Sequence, residues 1–220
     1  MAMHQDYCED YVGDRIDLAP SEEKAGELIV KNLLSANRGH YGVLENPAIT
    51  LAVGYFPHSV MQQARTHRIG VTFDCQSMRY TGKRLAEAFE KETDIEDLFY
   101  LRPPGFYLNR QGKKFEYTPN DRAEDLSIMK QTLEHYAHRY HQGMPEEQAR
   151  GFISFDFRQH FVVGFNARSL MHFLDLRAKK DAQLEIQWLC ELMLPLFYSW
   201  MPAVATWYHE NRWQKARLAP

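Results

Sequence analysis

The spacing of apolar residues changes along this chain, and that change does most to narrow the folds open to it. Behind Ser21, with Glu22 and Glu23 where a helix start favours acidic groups, Ala25, Leu28, Ile29, Leu33 and Ala36 recur at helical intervals until Gly39. From Ile49 the pattern turns to alternation. Ile49, Leu51, Val53 and Tyr55 fall on one face of a half-buried strand that Pro57 ends. Helical spacing returns over 59–67, where Val60, Met61 and Ala64 can face a core while Gln62, Gln63 and Arg65 point elsewhere.

Further on, "RIGVTFDCQSMRYTG" lacks helical periodicity and reads as a loop or irregular strand. Pro103, Pro104, Gly105, Gly112 and Pro119 mark turns around short aromatic strands, a hairpin-like excursion within 99–122. A helix is expected from about 123 to 141, and "MPEEQAR" begins another, with Pro145 in its first turn and Arg150 at its end. "HFVVGF" reads as a strand and "NARSLMHFLDLR" as a helix carrying Leu170, Phe173 and Leu174. The longest apolar block, "LCELMLPLFYSWMPAVATW", is interrupted by Glu191, Pro195 and Pro202 and reads as buried helices near the C-terminus. With 45% hydrophobic residues among 220 and no Gly, Ser or Pro-rich linker, one domain over residues 1–220 is expected.

Several function classes are disfavoured. No stretch reaches the roughly 18 uninterrupted apolar residues of a membrane span, and the N-terminus lacks a leader pattern, so a cytoplasmic protein with no membrane contact is expected. A net charge of -3 argues against a dedicated nucleic-acid binder. Cys8, Cys75 and Cys190 show no short spacing, so neither a disulfide framework nor a cysteine metal site is suggested. His135, His138 and His141 drift around a helix with no carboxylate or cysteine to complete a ligand set, and no metal is expected. Neither GxGxxG nor GxxxxGK[ST] occurs, so any nucleotide is held without a Rossmann or P-loop unit.

What remains is a set of arginines beside apolar residues, in "QQARTHR", "SMRY", "EEQAR" and "NARSLMHFLDLR". Guanidinium offers fixed, bidentate donors and keeps its charge, which suits an anion in a pocket, although a lone surface arginine is more commonly an ion-pair partner. At 100° per residue, Asn166 and Arg177 project within about 20° of each other, while Arg168 and His172 lie about 40° apart on nearly the opposite side. Two polar faces around Leu170 and Leu174 suggest an element wedged between two sites or two subunits; the plainer reading is a mostly exposed helix.

"QQARTHR" followed by "QSMRY", with "NARSLMHFLDLR" and the upstream "GHYGVLENP" that holds His40 and Glu45, resembles the signatures of the flavin-dependent thymidylate synthases. The resemblance spans roughly residues 39–80 and 146–190. Thr66 separates Arg65 from His67 where the usual run is Arg-His-Arg, and Asp74 and Cys75 stand where many relatives carry Glu. Together with the elements above, it implies an α+β fold: a single domain with a mainly antiparallel sheet packed by helices, non-Rossmann.

The resemblance also implies a reaction and its residues. It is the conversion of dUMP to dTMP, with methylenetetrahydrofolate as carbon donor, FADH2 as hydride donor and NADPH as reductant. Arg65, His67, Arg68, Asn166, Arg168 and His172 would hold FAD. Gln76, Ser77, Met78 and Arg79 would receive the dUMP phosphate and sugar, largely through backbone amides, with Gln62, Arg65 and Arg150 completing that pocket. Arg177 would lie against the uracil and favour ionisation at N3, with no cysteine nucleophile. A homotetramer with shared active sites is implied as well. The competing reading is a non-catalytic nucleotide or RNA-binding domain using Arg65, Arg68 and Arg79 with Phe73 and Tyr80 as a stacking platform.

Overall fold

The computed structural model describes residues 1–35, 40–109 and 111–215. Helices α1 (Ala2–Tyr7) and α2 (Glu22–Ile29) precede strand β1 (Ala48–Pro57), helix α3 (His58–Ala64) and strand β2 (Val71–Cys75). Helices α4 (Met78–Thr81), α5 (Lys83–Glu90) and α6 (Ile95–Leu98) lead to the hairpin of β3 (Gly105–Leu108) and β4 (Lys114–Tyr117). Then come α7 (Pro119–His141), α8 (Glu146–Ala149), β5 (Arg158–Asn166), α9 (Ala167–Arg177), α10 (Leu184–Trp200) and α11 (Pro202–Asn211). No described helix is long and apolar enough to cross a membrane.

Local chemistry explains most boundaries. Ser21 Oγ accepts from the Lys24 N–H at 3.3 Å and starts α2 as read; the expected close at Gly39 lies outside the described residues. α7 begins at Pro119 rather than near 123, because Thr118 and Asp121 form a reciprocal capping box with Pro119 in the first turn. Pro145 is the residue before α8 rather than part of its first turn. The segment read as a loop or irregular strand is β2 followed by α4, which Ser77 caps. Pro195 lies inside α10 without ending it; the helix stops only at Met201, and Pro202 opens α11. A proline removes one ladder bond, and a buried apolar helix outlasts that loss.

Strands β1, β5 and β2 form one sheet in that order. The bonds at their ends show both pairings to be antiparallel: Asn166 N–H donates to Gly70 O and Gln76 N–H to His160 O, while Ala167 N–H donates to Pro47 O and His58 N–H to Phe157 O. The sheet is antiparallel, as expected, and so is the hairpin, which pairs Gly105 with Tyr117 through Leu108 with Lys114. The expected alternation in β1 holds at buried Leu51 and Val53 but fails at Tyr55, which is 68% exposed. Tyr55 has φ 66°, which turns its side chain out of the pleat, and Arg158 Nη1 donates to its carbonyl at 2.6 Å.

The chain divides into two compact units, one of 1–51, 67–73 and 163–220, the other of 52–66 and 74–162. In the first, α2, α9, α10 and α11 pack together, with Leu33, Phe173, Leu174, Phe197 and Tyr208 fully buried. Within that core Asp175 accepts from Tyr208 Oη at 3.0 Å and from the Arg212 guanidinium, tying α9 to α11. Burial pushes its carboxyl above the usual range, while Arg212 and Tyr208 pull it the other way. In the second unit α5 and α7 enclose Leu85, Ala86, Leu133, Tyr136 and Ala137, and Arg122 grips Glu96 at 2.9 Å.

Gly70 has φ 66°, and a Cβ there would lie 2.2 Å from Asn166 Nδ2 and 2.3 Å from Ser169 Oγ. Gly70→Ala is expected to destabilise the protein by about 2–4 kcal/mol, since it adds a left-handed strain to a clash. Urea denaturation checks this; a midpoint equal to wild type would refute it.

Candidate active site

In the first unit the candidate residues gather on α9. Asn166 caps that helix: its Oδ1 accepts from the Ser169 N–H at 2.8 Å, and its own N–H donates to Gly70 O at 3.0 Å. Ser169 Oγ donates to Ile69 O at 2.7 Å, so the segment 67–70 is stitched along the amino end of the helix. At the other end Arg177 Nε donates to His67 Nε2 at 3.0 Å. The His67 ring lies 5.8 Å from that of His172 and 4.9 Å from that of Phe173.

The plainer reading of α9 as a mostly exposed helix does not hold. Ala167, Ser169, Leu170, Met171, Phe173, Leu174 and Asp175 are buried, so the helix is sunk in its unit and is far from mostly exposed. Arg168 and His172, one turn apart, form the exposed stripe, while Arg177 is half-buried. Arg168 Nη1 binds Glu45 Oε1 at 2.6 Å and its guanidinium sits 6.0 Å from the Tyr41 ring. His67, His172 and Arg177 are thus brought together, and Arg168 is joined to the upstream Tyr41 and Glu45; Arg68 is exposed, and the Asn166 side-chain carbonyl is committed to the cap.

Burial, then the Arg177 guanidinium, then His172 depress the His67 imidazole to about 4. His67 is therefore neutral at pH 7. Because Arg177 donates to Nε2, the ring proton is assigned to Nδ1. Cys190 is fully buried, and burial pushes its thiol far above the usual range, which disfavours a thiolate there; Cys75 is exposed. A cavity of about 1130 Å³ opens elsewhere in this unit, among Tyr7, Leu28, Leu33, Val43, Trp200 and Met201, and none of the expected site residues lines it.

In the second unit Gln62 lies 2.7 Å from His58 Nε2, and Arg65 ends α3 exposed to solvent. Gln76 is clamped to β5: its N–H donates to His160 O at 2.9 Å and its carbonyl accepts from Gln159 Nε2 at 2.8 Å. Ser77 Oγ accepts from the Arg79 N–H at 3.3 Å, and Met78 points its side chain into the core. The backbone amides of Gln76 and Arg79 are therefore engaged within the chain. Arg79 pairs with Glu147 of α8 at 3.2 Å, and α4 packs on α8, which carries Arg150 at its exposed end. Sequence reasoning passed over His58, Arg84 and Gln159. Only Gln159 left a signal, a polar residue 2% exposed where β5 alternation calls for an apolar one.

The sequence matches, over residues 1–203, the model of the family described as thymidylate synthase complementing protein. The chain belongs to that family. A flavin-dependent thymidylate synthase of Haloarcula marismortui is 33% identical over 100% of this chain and 93% of its own length. Among solved structures, a UMP/dUMP methylase from Streptomyces cacaoi bound with 5-Br UMP covers 91% of this chain and 88% of its own, at TM-score 0.69 and 20% identity. A flavin-dependent thymidylate synthase from Helicobacter pylori complexed with FAD and dUMP covers 78% and 77%, at TM-score 0.59 and 20% identity. At such identities the structural likeness speaks for the family fold.

The pH response of His67 follows from its surroundings. Between about 4 and its ordinary 6.5, the unfolded chain takes up a proton that the folded one refuses, so this group's stability contribution is complete above pH 6.5 and falls as pH falls. Replacing Arg177 with Gln removes one depressing charge and is expected to bring the His67 titration closer to 6.5. Its Cε1–H resonance, followed by NMR in the ligand-free protein, tests this; an unmoved midpoint would exclude the pairing.

Proposed function

We propose that this family member is a FAD-dependent methyltransferase that converts dUMP to dTMP, drawing carbon from methylenetetrahydrofolate and reducing power from NADPH. One observation carries the reading: the guanidinium of Arg177 is held by the neutral ring of His67, which lies beside the exposed His172. The name borne by the Haloarcula marismortui relative agrees with it.

The residues present fit FAD. A flavin dinucleotide needs cations for its pyrophosphate and uncharged donors for its ring; Arg68 and Arg168 offer the first, and the Nδ1–H of neutral His67, with the His172 ring beside it, the second. When bound, reduced FAD supplies the hydride that completes the methyl group. Arg177 stabilises negative charge on the uracil ring and so favours loss of the N3 proton, and its half-buried position strengthens that effect over the same charge in water. The Ser77 and Met78 amides with Arg79 and Arg150 receive the phosphate, and Gln62, oriented by His58, meets the nucleotide alongside Arg65. Positioning of two rings by fixed groups is the protein's share of the work.

The reading extends to one such domain over residues 1–220, assembled in the cytoplasm as a homotetramer whose copies share active sites. Arg177→Ala is expected to abolish thymidylate formation while the protein stays yellow, with dUMP-dependent oxidation of NADPH lost as well. Retained turnover would remove Arg177 from its role. A colourless wild-type protein that shifts RNA would instead favour a binding domain built on Arg65, Arg68 and Arg79.

A further inference from the structure

Most arginines of the second unit have their charge or donors answered. Arg79 pairs with Glu147 at 3.2 Å and Arg122 with Glu96 at 2.9 Å, while Arg158 donates to the carbonyls of Glu96 and Tyr55 at 2.6 Å each. Arg84, on α5, and Arg139, on α7, each leave a buried Nε with no hydrogen-bond partner; Arg139 Nη1 donates to Gln142, and of the two Arg84 is the one tied to β5. Arg84 is half-buried, and its Nη2 donates to Arg158 O at 3.1 Å. Among the described residues no carboxylate pairs with it. Burial alone pulls its guanidinium below the ordinary value. A desolvated cation with neither counter-charge nor a full set of acceptors is costly to keep, unless something anionic completes it.

Its position says what that anion is. The carbonyl held by Arg84 belongs to Arg158, next in the chain to Gln159 and His160, the two residues that clamp Gln76. Gly82 keeps right-handed helical dihedrals (φ -60°, ψ -31°), so the turn of α4 continues into α5. Seven residues, close to two turns, separate Ser77 from Arg84, which places them on one side, and helical side chains lean toward the N-terminus. The guanidinium therefore approaches the run Gln76–Arg79. Two acceptors there also lack donors: Gln76 Oε1 and Gln159 Oε1 are buried without partners. An unanswered cation beside unanswered carbonyls suits a ligand that is anionic at one end and carries hydroxyl or N–H donors, the chemistry of a sugar phosphate.

We propose that Arg84 is a phosphate-binding residue of the nucleotide site, giving its Nε–H to the 5′-phosphate while Nη2 stays on the Arg158 carbonyl. This rests on the reading of the site as one for dUMP, and it adds a guanidinium outside the sequence motifs. The phosphate then gains a donor anchored to β5, where Arg79 must first leave Glu147.

The test is equilibrium dialysis of the purified holoenzyme with dUMP and with deoxyuridine, which lacks the phosphate. Arg84→Gln removes the charge but retains a donor for the Arg158 carbonyl. It is expected to lower dUMP affinity about tenfold or more and to leave deoxyuridine affinity unchanged, with Arg84→Lys recovering part of the loss. An unchanged ratio of the two affinities, or an equal fall in both, would overturn the proposal and leave Arg84 a packing role. Should Arg84→Gln fail to fold by circular dichroism, Arg84→Met is put through the same comparison, and loss of the fold in both would equally mark Arg84 as structural. A wild-type protein with no preference for dUMP over deoxyuridine would instead defeat the functional reading itself.

Discussion

The hydrogen bond between Arg177 and His67 closes a set of restraints around α9 on which the candidate site depends. Eleven residues are too few to hold a helix in isolation, so its stability must come from burial and from its ends. Asn166 and Ser169 bind the amino end to Ile69 and Gly70, Arg177 binds the carboxyl end to His67, and Asp175 fastens the middle to α11. With both ends held, Arg168 and His172 have one place to point, the exposed stripe. The same bond bears on chemistry as well as shape, because burial first and the donating cation second keep that imidazole neutral.

Polar groups inside the second unit follow a parallel logic. Gln159 occupies an interior strand position and spends its amide N–H on the Gln76 carbonyl, so a glutamine does what a further strand would otherwise do for that segment. The consequence is a rigid entry to α4 and a set of polar atoms left over. Groups left unsatisfied in an otherwise well-paired interior call for an explanation, and those of Gln76, Gln159 and Arg84 are the ones the phosphate proposal takes up.

Much of the site was legible before the fold was known, because the chemistry of its residue types is local. Guanidiniums in short motifs pointed to an anion in a pocket, and the lack of a glycine-rich loop meant that any nucleotide is held without a Rossmann unit; the nucleotide itself and the residues assigned to it came from the resemblance to the family. A boundary was legible where the reading started from the cap itself: Ser21 opens α2 as read. Boundaries were misread where an upstream residue intervened, as when Thr118 and Asp121 start α7 early. Tyr55 broke its alternation through backbone geometry that residue type does not announce. Arg84 could not be found at all, since an arginine on an amphipathic helix looks the same whether or not a carboxylate waits for it.

By itself, then, the order of residues determined the periodicities, the caps and the inventory of charged and aromatic groups, since each of these depends on neighbours within a few positions. Tertiary structure alone decided which donor meets which acceptor: that Arg177 reaches His67 across 110 residues, that Arg168 finds Glu45 across 123, and that Arg84 meets the Arg158 carbonyl and, among the described residues, no carboxylate. The reason is physical. A hydrogen bond or ion pair is set by distances of about 3 Å, and such distances between remote segments exist only once the sheet and the helices have packed.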